Sequence, residues 1–197
     1  MLVPDLSEFD AIVYDLDGTL VDLRVDWDGA MAEMASALQD AGVDTRSMGV
    51  WSMVDHASHV GLGERVERIL DGYERAGALK SKCLPAVDVL QSDGVSSGVC
   101  SLNSEGACWT ALDVHDLDDH VDAVVGRDTV AARKPDPEPL LATLDRMGVG
   151  TESAVFVGDS YRDELTARRA GVAYRYVGWR SIGVLDTVVK TLLGQER

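Results

Sequence analysis
Five short apolar runs, each closed by turn residues, constrain this chain more than any other feature. They lie at 11–14 (AIVY), 95–100 (VSSGVC), 121–125 (VDAVV), 154–157 (AVFV) and 172–177 (VAYRYV). Runs so short and so rich in β-branched residues suit strands of a parallel sheet covered on both faces. Helical patterns separate the later runs, at 105–112, 137–147 and 161–170, and 84–92 reads as a helix leading into the second run. Asp136 stands as N-cap of the 137–147 helix with Pro137 at its first position, and Gly148 and Gly171 occupy helix-ending positions. Strand alternating with helix predicts an α/β fold built on a doubly wound, Rossmann-like parallel sheet.

Residues 21–83 break that alternation. Their periodicity is helical throughout, at 27–41, around 48–58 and at 63–77, and no strand candidate interrupts it. An all-α insertion directly after the first strand is expected to form a small cap domain, 21–83, on a core made of 1–20 and 84–197. The Gly61–Gly63 pair inside it reads as a turn or hinge.

Of the 197 residues 46% are hydrophobic, enough for one full core and a small second domain. No stretch approaches the roughly 20 apolar residues of a membrane helix, and the start, MLVPDLSEFD, lacks the basic and apolar runs of a signal peptide. A cytoplasmic protein with no membrane partner is expected. Cys83, Cys100 and Cys108 are odd in number and stand in no Cys/His motif, so neither structural disulfides nor a cysteine nucleophile is expected.

The formal net charge is −16, with acids spread along the whole chain and only four lysines, Lys80, Lys82, Lys134 and Lys190. Such a surface repels nucleic acid, whose binding relies on basic groups. It suits a halophilic, salt-adapted protein, because at about 1 M salt the Debye length shrinks to roughly 3 Å and self-repulsion is screened. An ordinary acidic protein is the alternative.

The first run ends in DLDGTL, where Asp15 and Asp17 stand two apart. Carboxylates held this close repel, and one has its pKa raised unless a positive group stands near. Ligands of open α/β sheets bind beyond the carboxyl ends of the strands. That edge gathers Asp15-Leu16-Asp17-Gly18-Thr19, then Ser101-Leu102-Asn103-Ser104, then Gly158-Asp159-Ser160, with Asp163 one turn into the following helix. Asp15, Asp17 and Asp159 converging there demand a cation. Carboxylate oxygens are what Mg²⁺ prefers, with waters and a substrate phosphate completing its shell. Lys134 supplies a second positive charge, and the helix beginning near Pro137 adds its dipole. The Ser101 hydroxyl and the loop N–H groups are candidate donors to phosphate oxygens.

In this order, DLDGTL, SLNS, KP and GDSYRD resemble the four motifs of the haloacid dehalogenase-like superfamily. The helical insertion stands where that superfamily carries its cap. One departure is that Leu102 separates Ser101 from Asn103, where a polar residue commonly follows the hydroxyl directly. The resemblance implies a Mg²⁺-dependent phosphatase, similar to phosphoglycolate phosphatases, acting on a small phosphorylated metabolite. It implies Asp15 as the nucleophile that forms an aspartyl-phosphate, and Asp17 as general acid and then general base. Mg²⁺ would be held by the Asp15 carboxylate, the Asp17 backbone carbonyl and Asp159, with Asp163 supporting its waters. Gly18 would permit the sharp turn, and Gly18, Ser101, Leu102, Asn103 and Lys134 would form the phosphate site. Asp17 favours phosphatases and phosphomutases over dehalogenases and phosphonatases, which typically lack it. A phosphomutase or phosphotransferase acting on a sugar phosphate, and a non-catalytic regulatory protein on the same fold, are the alternatives. Monomer and homodimer are both open.

Several other polar groups carry two readings. SYRD is also a variant capping box, with Ser160 as N-cap and Asp163 three residues on. Arg24, Arg65 and Arg68 are candidates to clamp a substrate carboxylate or second phosphate, or are surface salt bridges on an acid-rich helix. Asp55, His56 and His59 have helical spacing for a metal but lack a third strong ligand. Asp116, Asp118, Asp119 and His120 read as a solvated loop.

Overall fold
The first apolar run becomes β1 (Ala11–Tyr14), the middle strand of a five-stranded sheet in a computed structural model that describes residues 9–92 and 95–178. The end of the expected core, 179–197, and the N-terminal residues 1–8 lie outside the described residues. β4 (Ser96–Cys100) and β6 (Ala154–Gly158) flank β1, with β5 (Ala123–Val125) and β7 (Ala173–Tyr176) beyond them, in the order β5-β4-β1-β6-β7. All four pairings are parallel.

β1 is apolar at every position because it serves two cores. Ile12 and Tyr14 pack with Val87 and Leu90 of α4 (Ala86–Ser92) and Leu112 of α5 (Glu105–Val114). Ala11 and Val13 pack with Leu140 and Leu144 of α6 (Glu138–Met147) and Ala167 of α7 (Tyr161–Ala170). Alternate residues thus face opposite helical layers, the doubly wound arrangement. Each large side chain buried this way, such as Phe156 or Leu112, contributes about 1.5–3 kcal/mol.

Register sets the site. Tyr14 pairs with Val99 on one side and Val157 on the other, so the three strands end level. Asp15 N–H donates to Val157 O at 2.8 Å and Ser101 N–H to Val125 O at 3.0 Å. The chain leaves β1 for β4 on one side and later returns to β6 on the other. The Asp15 edge is therefore a topological switch point, where open α/β sheets bind ligands.

Residues 21–83 are not helical throughout. β2 (Val21–Asp22) and β3 (Lys82–Cys83) pair antiparallel at the two ends of the segment. Strands of two residues are too short to carry a period, so the sequence pattern hides them. Between them α1 (Trp27–Gln39), α2 (Val50–His59) and α3 (Gly63–Ala78) share their own apolar cluster around Met34, Leu38, Met53, Val66 and Leu70.

α6 starts one residue later than expected. Pro137 already has helical dihedrals, φ −73° and ψ −18°, and takes the N-cap position in place of Asp136. The Asp136 carboxylate still accepts the Glu138 N–H at 2.9 Å. Gly148 and Gly171 end α6 and α7 in the left-handed region, as expected. Cys83, Cys100 and Cys108 are free, and among the described residues no helix is long and apolar enough to cross a membrane.

Candidate active site
Lys134 is the electrostatic centre of the strand edge. Its buried ammonium donates to Asp163 Oδ1 at 2.5 Å, Asp15 Oδ1 at 2.8 Å and Cys100 O at 3.0 Å, so all three protons are taken. Burial works against its charge, but Asp15 and Asp163 outweigh that and hold the ammonium above its ordinary range. The capping reading of Asp163 holds, and its carboxylate also binds Lys134. One oxygen takes Lys134, while the other accepts from Ser160 N–H at 3.1 Å and from the Ser160 hydroxyl, closing a capping box on α7. Gly158 makes room for it, since a Cβ there would lie 2.6 Å from Asp163 Cβ.

Burial pushes the Asp15 carboxyl up from 3.8 to about 7, with Lys134 pulling down and Asp163 and Asp159 pushing further up. Asp17 rises to about 6, again through burial, opposed by the Leu23 N–H on its Oδ1 at 2.9 Å and assisted by Asp159. Oxygens of Asp15, Asp159 and Asp163 lie within 4.8 Å of one another. Such a set of hard oxygen donors fits a small divalent cation such as Mg²⁺. The Asp17 carboxylate is not in that set and is held by the chain just after β2. Gly18 closes the turn at φ +88°, and a Cβ there would overlap the Asp159 carboxylate. Its hydrogen atom is what lets Asp159 approach the Asp15–Asp17 turn.

The loop after β4 is held from below. Ser101 Oγ accepts the Asn103 N–H at 3.2 Å and donates to Asn103 Oδ1 at 3.1 Å. Arg127, just past β5, donates its N–H to Asn103 O and its Nη1 to Leu102 O, both at 2.8 Å. The intervening Leu102 therefore leaves Asn103 within the same buried turn as Ser101. Ser104 N–H donates to Glu74 of α3 at 2.9 Å. Burial raises the Glu74 carboxyl, and Arg127 opposes that rise.

These groups open onto a cavity of about 660 Å³ whose lining includes Asp15, Asp17, Ser101, Leu102, Asn103, Lys134, Asp159 and Asp163. Trp27 of α1 and Val50 and Trp51 of α2 face them, with Glu74, Tyr161 and Arg162 completing the wall. None of these six was legible in the sequence as a site residue. A tryptophan on an amphipathic helix reads as core, whereas Trp51 lines the cavity and has its ring centroid 5.8 Å from the Arg127 guanidinium and 5.4 Å from that of Arg133.

The three cap arginines that read either as substrate clamps or as surface salt bridges do not line this cavity. Arg24 pairs with its neighbour Asp22 at 2.6 Å, and Arg68 donates to Glu64 O within its own helix at 3.2 Å. Local partners outcompete a distant site. Asp55 takes Arg133 at 2.5 Å and accepts through its carbonyl from His59 at 2.8 Å, so that trio forms no metal centre. Burial pushes the Cys100 thiol up to about 12 and Cys108 well above its ordinary value, which leaves neither as a nucleophile.

The family profile of haloacid dehalogenase-like hydrolases matches residues 72–177, more than half of the chain. The chain belongs to the haloacid dehalogenase-like hydrolases. The phosphoglycolate phosphatase of Rhodospirillum rubrum is 35% identical to this hydrolase over 184 residues, spanning 82% of this chain and 76% of that protein. The phosphoglycolate phosphatase of Xanthomonas campestris is 31% identical over 179 residues, spanning 82% and 80%. Among solved structures, a superfamily hydrolase from Geobacter sulfurreducens is 28% identical with a TM-score of 0.57, covering 89% of this chain and 98% of its own. Within its family this hydrolase is thus phosphoglycolate phosphatase-like.

Proposed function
We propose that this chain, a phosphatase of the haloacid dehalogenase-like family, hydrolyses a small phosphomonoester through an aspartyl-phosphate on Asp15, with Mg²⁺ as its metal. The observation that carries the reading is the Lys134 ammonium bound to Asp15 at the switch point of the sheet, beside a cluster of aspartate oxygens. Asp15, Asp159 and the Asp17 carbonyl would hold the ion, and Asp163 would back them through its hold on Lys134. When bound, the metal supplies positive charge that shields the nucleophile from the phosphoryl dianion.

The chain's own groups account for both half-reactions. Asp15 attacks phosphorus as the ester P–O bond breaks, and Asp17 gives its proton to the departing alkoxide. A carboxyl lifted to about 6 is suited to that donation near neutral pH. Asp17 then takes a proton from water as that water attacks phosphorus, and the bond to Asp15 breaks to release phosphate. Ser101 and the 101–103 loop position the phosphoryl oxygens, and Lys134 fixes Asp15.

Residues 21–83 serve in this reading as a cap that excludes water and selects the leaving group, with Trp27 and Trp51 turned to the substrate side. The names of the relatives favour 2-phosphoglycolate as the first substrate to try. The test is phosphate release from a panel of phosphorylated metabolites that includes it, with Mg²⁺ and then with EDTA. Release from at least one small phosphomonoester, abolished by EDTA, is the expected result. Absence of release from the whole panel would reject the proposal.

A further inference from the structure
Two acids of α3, Asp71 and Glu74, bond the loop that carries Ser101 and Asn103, and a third, Glu67, bonds Arg127. Glu74 accepts the Ser104 N–H at 2.9 Å on one oxygen and Arg127 Nη1 at 2.7 Å on the other. Asp71 accepts the Ser104 hydroxyl at 2.5 Å, and Glu67 accepts from Arg127 Nε at 3.0 Å. Arg127 also holds the same loop, its Nη1 donating to Leu102 O and its backbone N–H to Asn103 O, at 2.8 Å each. The Glu74 and Arg127 side chains are 0% and 3% exposed. Gly126 lets the two stretches touch, because a Cβ there would overlap the backbone nitrogen of Glu105.

A buried ion pair is a poor source of stability compared with apolar side chains of the same size, and breaking one strands a charge. What this pair fixes is geometry. With α3 lifted away, the Ser104 N–H would lose its acceptor and the buried Arg127 charge its partner. We infer that Glu74 and Arg127 form a clasp through which seating of α1–α3 on the core sets the 101–104 loop, so that the loop is organised for phosphate only when the helices are seated. Both are positioning residues that act through Ser101 and Asn103. The inference rests on the proposed roles of that loop as phosphate site and of 21–83 as cap.

The test compares wild type with Glu74→Gln, Arg127→Lys, Arg127→Met and the double variant Glu74→Gln/Arg127→Met. Gln keeps the size of Glu74 but offers one oxygen to two donors. Lys keeps the charge of Arg127 but cannot reach Glu67, Glu74 and Leu102 O together. Binding of inorganic phosphate is measured by calorimetry with Mg²⁺ present, at a temperature where circular dichroism reports each variant folded. Phosphate affinity is expected to fall at least about tenfold in each single variant, the scale of one lost charge-assisted bond. KM for p-nitrophenyl phosphate should rise by a similar factor with a smaller change in kcat. The double variant should be no weaker than the weaker single, because both changes open one clasp. Phosphate affinity within about twofold of wild type in Glu74→Gln and Arg127→Lys, or strictly additive losses, would overturn the clasp. A wild type that binds no phosphate overturns the proposed function and the clasp with it; a wild type that binds beside variants that bind equally well overturns the clasp alone.

Discussion

Asp15 Oδ1 and Lys134 Nζ, 119 residues apart in the chain, meet at 2.8 Å beyond the central strand. The same ammonium holds Asp163, so one buried cation orders two carboxylates. Lys134→Met keeps the bulk and leaves those carboxylates facing each other unpaired. Removing one partner of a buried pair costs about 3–5 kcal/mol, or roughly 10 °C in melting temperature for a chain of this size. Calorimetry should record that drop, and kcat/KM measured below the melting range should fall at least about a hundredfold.

Gly18→Ala addresses the turn. The position needs φ +88°, and a Cβ would overlap the Asp159 carboxylate. The left-handed backbone alone costs about 1 kcal/mol for a residue with a side chain. Displacement of Asp159 should add a weaker response to Mg²⁺. Titrating activity with Mg²⁺ should therefore show a half-saturation point at least about tenfold higher than wild type. An unchanged Mg²⁺ requirement would separate Asp159 from the metal.

The raised acids predict a pH dependence in metal-free protein. Asp17 sits at about 6 folded, against an ordinary 3.8. Below the lower value it is protonated in both states and its contribution to stability is fully present. Between the two values the folded state binds more protons than the unfolded, so that contribution is lost as pH rises through about 6. Asp15, at about 7, extends the loss upward. In EDTA, Asp17→Asn should gain on wild type in melting temperature between pH 5 and pH 8, and Mg²⁺ should cancel the gain. Parallel melting curves for the two proteins across that range would contradict the shift.

The sequence exposed the strands and the acid set more readily than the contacts that join the helices to the core. β1 and β6 are apolar throughout and β4 ends in Val99-Cys100, and Asp15, Ser101 and Asp159 follow these strands directly, so parallel pairing alone brings them to one edge. Lys134 was legible as a rare lysine before a helix. β2 and β3 were hidden by their length of two residues. Glu74 and Arg127 were hidden for a different reason. They are 53 residues apart, and an acid on an acid-rich helix announces no partner. Arg24 and Arg68 carried two readings in the sequence, and the structure gives them local partners, the Asp22 carboxylate and the Glu64 carbonyl.

Charge predicts behaviour in salt. With a net charge of −16, self-repulsion opposes the compact state in dilute buffer. Raising KCl from about 0.1 M to about 1 M cuts the Debye length from roughly 10 Å to roughly 3 Å. The thermal midpoint should climb over that range. A flat midpoint would identify an ordinary acidic protein.

Turnover by Asp15→Asn tests the nucleophile most directly. The substitution is close to isosteric and leaves an oxygen to accept from Lys134, so the variant should stay folded and still bind inorganic phosphate. With p-nitrophenyl phosphate and saturating Mg²⁺, a nucleophilic Asp15 predicts a loss of kcat of at least about a thousandfold. A variant that turns over within about tenfold of wild type would contradict the aspartyl-phosphate and move the chemistry to another group.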